Sequence, residues 1–251
     1  MSSKKLPQKP GNDIPLFGKR LLQKKVAELL HRPDDLRPVL LFLAGPNGSG
    51  KTSFFNTLDE VPGRQFVFVN ADIIAQVLKG IPSPDKLAQQ FADLMRKHMV
   101  SERATFATET VFSDEKGAKI QFLRDAEAAG FHVILVYVTL PNWAFSKMRV
   151  EYRVQAGMGH DVPQDKLQRR FTASMENARR AANFVEDAIF LDNSSADLSK
   201  ALTPMAMTHR GKVVYRAEQV PDYVERLLPM AEEGARTVVT KTTVLVPHKK
   251  A

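Results

Sequence analysis

Gly45-Pro46-Asn47-Gly48-Ser49-Gly50-Lys51-Thr52 satisfies G-x-x-x-x-G-K-[ST], the spacing that wraps backbone amides around phosphate. Its glycines let N–H groups turn inward and approach an oxyanion with no Cβ in the way. A helix starting at Lys51 would aim its positive dipole end at the same point. Lys51 adds a mobile charge for the β- and γ-phosphates, and the Thr52 hydroxyl is a hard oxygen ligand suited to Mg²⁺. A chance Gly-rich turn would not explain the apolar run before it or Phe54, Phe55 and Leu58 after it. All eight residues are therefore predicted to hold a nucleoside triphosphate.

Further polar residues follow other apolar runs. Asn70 and Asp72 come after Phe66–Val69, Glu109 and Thr110 after Ala104–Thr108, and Asp192 and Asn193 after Ala188–Leu191. In an open parallel sheet, ligands lie beyond the carboxyl ends of the strands, so these residues would face one site. Phosphoryl transfer to an alcohol needs a carboxylate to receive the acceptor's proton, and Asp72 is the candidate base. Its bland role is to cap the helix from Ile73 to Lys79, a task that suits Asn70 equally. Glu109 could order Mg²⁺ beside Thr52 or grip the acceptor with Asn70 and Thr110, and the sequence leaves both open. Asn193 is expected near the nucleotide.

Arginines form the second signal. Arg149 and Arg153 stand four apart, hence on one helix face where like charges repel by a few tenths of a kcal/mol. That spacing makes sense against an anion. Arg169 and Arg170 follow on the next helix, after Gly157-Met158-Gly159 and Pro163. Two arginine-bearing helices on a glycine hinge, about 149–170, read as a helical lid over triphosphate. The competing reading is a solvated face, with Asp165 pairing Arg169 at i,i+4. His160-Asp161 reads as a polar loop pair and Trp143 as a packing residue at a helix start. The six histidines show no metal spacing.

The elements that would position these residues alternate. Strands are expected at Val39–Ala44, Phe66–Val69, Ala104–Thr108, His132–Thr139 and Ala188–Leu191. Helices are expected over 18–31, after Lys51, from Pro84 with a buried stripe of Leu87, Phe91, Leu94, Met95 and Met99, from Ser113 to Gly130, over 142–156, and from Pro163 to about Ala182. This pattern predicts an α/β fold, a parallel five-stranded sheet with helices on both faces. Val213–Tyr215 is a candidate extra strand, Pro221–Glu232 a closing helix and Thr237–Val246 an exposed edge. The kinase-size body spans 14–233, between basic tails at 1–13 and 234–251.

Composition narrows the class. The net charge of +8 resides at the ends: residues 1–37 carry nine Lys/Arg against four acids, and residues 234–251 carry four against none. The body is within one charge of neutral, which argues against nucleic acid as the main partner. Cysteine is absent, excluding disulfides and a thiol nucleophile. No apolar run is long enough to span a membrane and no secretory signal is visible, so a cytoplasmic setting is expected.

The ordered motifs AGPNGSGKT, Asn70-Ala71-Asp72, Thr108-Glu109-Thr110, RVEYRVQAGMGHDVP, Arg169-Arg170-Phe171 and Leu191-Asp192-Asn193-Ser194 together resemble the zeta toxin family of small-molecule kinases, over about residues 38–195. Met158 departs from the double glycine common before the family's His. The resemblance implies a phosphate-loop fold like that of nucleotide and shikimate kinases, ATP with Mg²⁺, and transfer of the γ-phosphate to a hydroxyl. The acceptor it implies is a nucleotide-sugar such as UDP-N-acetylglucosamine, and the partner an antitoxin protein. By motif, Lys51 and Thr52 would hold ATP and Mg²⁺, Asp72 would be the base, Glu109 would contact the acceptor sugar, and Arg153 and Arg170 would clamp the phosphates. Two rival readings are an ATPase that drives a partner and a nucleic-acid kinase working through the basic tails. Against the first stands the absence of an LSGGQ-like signature and of a strand ending in an acidic pair.

Overall fold

The structure, a computed structural model, describes residues 35–58, 66–157, 162–197 and 200–230, together with Val26, Glu28 and Leu29. Seven strands form one sheet in the order β2-β3-β1-β4-β5-β6-β7. These are β1 (Val39–Ala44), β2 (Val67–Asn70), β3 (Phe106–Thr110), β4 (His132–Thr139), β5 (Asp187–Asp192), β6 (Thr203–His209) and β7 (Lys212–Arg216). The first five are parallel, as expected; β6 and β7 add an antiparallel hairpin, so the sheet has seven strands rather than five. The signal missed at β6 was weak: Thr203-Pro204-Met205-Ala206-Met207 is short of β-branched residues, and its burial follows from pairing with β5.

Side chains alternate across the sheet, which gives β1 two cores. Leu40, Phe42 and Ala44 face one side, packed with Ile120 and Leu123 of α4 (Ala118–Ala128) and Ala178, Ala181 and Ala182 of α6 (Gln164–Ala182). Val39, Leu41 and Leu43 face the other, with Phe54 and Leu58 of α1 (Lys51–Leu58) and with Val26. Both faces being covered explains why β1, β4 and β5 are buried along their whole length and read as unbroken apolar runs. Each large apolar side chain buried in this way contributes about 1.5–3 kcal/mol.

Three helix expectations are corrected. On α3 (Pro84–Ser101) the inward residues are Ala88, Ala92 and Arg96, while Phe91, Leu94 and Met95 are exposed. The small alanines let α3 lie close to the sheet, and Arg96 donates through Nη1 to Thr108 Oγ1 at 3.0 Å, so the bulky residues are turned outward. The closing helix shrinks to one turn, α7 (Asp222–Glu225). In addition, α4 begins at Ala118 rather than near Ser113, after Gly117 at φ +73°. The tails at 1–13 and 234–251, the strand suggested for 237–246, most of the helix at 18–31, and Met158 to Asp161 of the expected hinge lie outside the described residues.

Candidate active site

Strand register assembles the site. Ala44 ends β1 and leads into the phosphate loop, Leu43 pairs with Glu109 of β3, and Glu109 pairs with Asn70 of β2. Three parallel strands thus deliver loop, carboxylate and amide to one edge. Asn70 then caps α2 (Ala71–Val77): its Oδ1 accepts from the backbone N–H of Asp72 at 2.7 Å and of Ile73 at 3.4 Å. Asn70 is therefore the cap, and Asp72 sits inside the first turn with its carboxylate free to face a ligand.

Glu109 is the hub. Its Oε2 accepts from Thr52 Oγ1 at 2.9 Å and from Asn70 Nδ2 at 3.1 Å, and its Oε1 lies 3.9 Å from Lys51 Nζ. Lys51 also donates to the carbonyls of Gly45 and Pro46, both at 3.0 Å. Burial pushes the Lys51 ammonium below its ordinary value; the charges of Glu109 and Asp72 pull it back up, and Arg153 pushes it down again. An ammonium that is 7% exposed and held on two neutral carbonyls is poised to turn to a better anion.

The loop has little freedom. A Cβ at Gly45 would stand 2.4 Å from the Val138 carbonyl oxygen, and one at Gly50 2.5 Å from Asn193 Nδ2. Asn193 braces the loop by donating from Nδ2 to the Ser49 carbonyl at 2.7 Å, while Ser146 of α5 (Trp143–Gln155) donates from Oγ to the Asn47 carbonyl at 2.6 Å. Among the described residues, the buried Asn47 Oδ1, Ser49 Oγ and Arg153 Nε have no hydrogen-bond partner. Such unfilled buried polar atoms, clustered at a Gly-rich turn, fit a site whose ligand is polar.

A cavity of about 270 Å³ opens here, walled by Asn47, Gly48 and Lys51 on the loop side and by Asn70, Asp72, Glu109 and Thr110 at the strand ends. Arg153 from α5 and Arg170 from α6 line it too. The two helices hold each other through a small core of their own: Val150, Val162 and Leu167, with Val154 against them. The other two arginines lie elsewhere. Arg169, 66% exposed, pairs with Asp165 at 3.1 Å and borders a separate groove along α6. Arg149 is half-buried beside Gly48; burial pushes its guanidinium down and the Asp192 charge pulls it up. Asn193 stands behind the loop, outside the cavity wall.

Four polar wall residues escaped the sequence reading: Asp85, Gln89, Ser113 and Lys119. Asp85 and Gln89 are four apart on α3 and so share a face, a spacing visible in the sequence but no different from that of an ordinary polar helix surface. Ser113 is placed by α6, because Ser174 Oγ donates to the Val111 carbonyl at 2.6 Å and Asn177 Nδ2 to those of Phe112 and Asp114, both at 3.0 Å. No local signal announces that tether.

The family model described as zeta toxin matches residues 24–202. No curated protein matches the sequence significantly. Among solved structures, AvrRxo1-ORF1:AvrRxo1-ORF2 with ATP superposes with a TM-score of 0.58 at 17% identity, covering 87% of this chain and 75% of that one. The same complex with sulphate ions gives 0.57 at 17%, covering 86% and 74%. A structure of the PezAT chromosomal toxin–antitoxin system of Streptococcus pneumoniae gives 0.48 at 14%, covering 72% and 79%. The likeness to AvrRxo1 supports the fold. No helix among the described residues is long and apolar enough to cross a membrane.

Proposed function

From the premise that the chain belongs to the zeta toxin family and is an ATP-dependent kinase, we propose that it moves the γ-phosphate of ATP to a hydroxyl of a nucleotide-sugar such as UDP-N-acetylglucosamine. One observation carries the reading: Lys51, Asp72, Arg153 and Arg170 come from four separate elements and border one cavity. Lys51, the loop amides and the two arginines bind and orient the triphosphate and take up the charge that spreads over its oxygens in the transition state. Asp72 accepts the proton of the acceptor hydroxyl as the new O–P bond forms and the bond to the leaving ADP breaks. Asn70, Thr110, Asp85, Gln89 and Lys119 line the acceptor side with donors and acceptors suited to hydroxyls and amides.

The donor set at Thr52 and Glu109, a hydroxyl bonded to a carboxylate at 2.9 Å, fits a hard dication, and Mg²⁺ would neutralise phosphate charge there. Because Glu109 is tied to Thr52, Asn70 and Lys51, we assign it to the metal side rather than to the acceptor. Family membership also supports an inhibitory antitoxin as a protein partner. The test is to incubate the protein with ATP labelled at the γ-position and a small-molecule extract, then identify by mass spectrometry what gains phosphate. Label in a nucleotide-sugar is expected. Label only in inorganic phosphate or in nucleic acid overturns the assignment.

A further inference from the structure

The brace behind the phosphate loop reaches past the segment that the family model covers. Asp192 ends β5, is 7% exposed, and its Oδ1 accepts from the Ser194 backbone N–H at 3.0 Å and from the Tyr223 hydroxyl at 2.8 Å. Its Oδ2 accepts from Ser194 Oγ at 2.8 Å. The carboxylate thereby fixes the turn that carries Asn193. That residue is held on three sides: its N–H donates to the Thr139 carbonyl at 3.2 Å, its Oδ1 accepts from Leu202 N–H at 3.3 Å, and its Nδ2 donates to the Ser49 carbonyl. The contact with the loop is tight enough that Gly50 has no room for a Cβ. Asp192 also supplies the charge that faces Arg149, whose Cβ lies against Gly48.

Tyr223 stands on α7, beyond the antiparallel hairpin and outside residues 24–202. We infer that Tyr223 is a positioning residue for the nucleotide, acting from outside the site through Asp192 and Asn193 on the Ser49–Gly50 segment of the phosphate loop. Without its hydroxyl, Asp192 Oδ1 keeps only the Ser194 N–H among these bonds, and the turn loses its tie to α7. Burial pushes the phenol up, to about 12, with Asp192 adding to the shift, so it remains a donor over the whole working range. The turn of helix at α7 is on this account part of the ATP-binding apparatus.

This inference rests on the proposal that ATP occupies the cradle. The experiment titrates mant-ATP, without acceptor, into wild type, Tyr223→Phe, Asp192→Asn, the double variant, and Leu227→Val. The last loosens the buried packing beside α7 without touching the relay. Losing one hydrogen bond to a charged acceptor should weaken Tyr223→Phe about fivefold. The double variant should bind no worse than Asp192→Asn, because both changes cut one chain. Leu227→Val should lower Tm with an unchanged Kd. Wild-type affinity in Tyr223→Phe, additive losses in the double variant, or an equal loss in Leu227→Val would each overturn the inference. If wild type itself does not bind mant-ATP, the ATP reading and this inference fall together.

Discussion

Replacing Glu109 by Gln separates the two roles open to this carboxylate, because it removes the charge and keeps the shape. Gln can still accept from Thr52 and Asn70 through its carbonyl oxygen, so the local framework should survive. What disappears is a negative charge 3.9 Å from Lys51 Nζ, with side-chain exposures of 10% and 7%. At that separation a unit-charge pair is worth about 1 kcal/mol in water and about 4 kcal/mol at an effective dielectric near 20. The same charge opposes an incoming triphosphate. Even the water limit, about 1 kcal/mol, corresponds to roughly fivefold in Kd. In EDTA, Glu109→Gln should therefore bind mant-ATP at least about fivefold more tightly than wild type. With Mg²⁺ titrated back, the midpoint for restoring turnover should shift to higher metal, while the acceptor KM stays within about twofold. Metal-free affinity that is unchanged or weaker would refute the electrostatic argument. A normal Mg²⁺ midpoint with a raised acceptor KM would move Glu109 to the acceptor side.

Other substitutions probe the remaining parts. Asp72→Asn should leave mant-ATP binding intact and slow transfer by about 10²–10⁴-fold, read by single-turnover kinetics. Arg153→Ala, which touches the cavity, should cut kcat/KM about a hundredfold or more. Arg169→Ala should stay within about fivefold, the scale of an exposed ion pair. Gly50→Ala sets a Cβ against Asn193 Nδ2 at φ +98°; strain and the lost brace should together cost about 2–3 kcal/mol, measurable by urea unfolding. At the opposite end of the sheet, Asp187 accepts from His132 Nε2 at 2.7 Å and His209 Nδ1 at 2.9 Å. Burial raises this carboxyl, but the two histidines outweigh it and hold it below its ordinary value. A depressed carboxyl contributes stability above its unfolded pKa of about 4 and loses it as pH falls through the folded value, so Asp187→Asn should flatten the acid limb of Tm against pH.

The sequence was most informative where local chemistry and position coincide. The phosphate loop is contiguous, and β1, β4 and β5 are apolar throughout because both of their faces are covered. Legibility failed where the deciding contact is remote. The stripe on α3 has helical spacing, yet spacing cannot say which of two apolar flanks meets the sheet; the alanines win because they allow closer approach. Asn193, expected near the nucleotide, holds the Ser49 carbonyl of the phosphate loop, a bond across 144 positions that no pattern encodes. Of the four arginines, Arg153 and Arg170, the pair that the family motifs single out as phosphate clamps, reach the cavity wall, while Arg149 and Arg169 do not.

The central place of β1 bears on how the protein comes into being. Its partners arrive late in the chain: Leu40 pairs with Phe106, Val39 with His132, and the Asn193 brace follows β5. A nascent chain carrying the whole glycine-rich turn still lacks the neighbours that hold it open, because these pairings require long-range closure. Nucleotide capture should thus switch on only once β3, β4, β5 and Asn193 have all been synthesised, and a chain released before that point would bind no nucleotide.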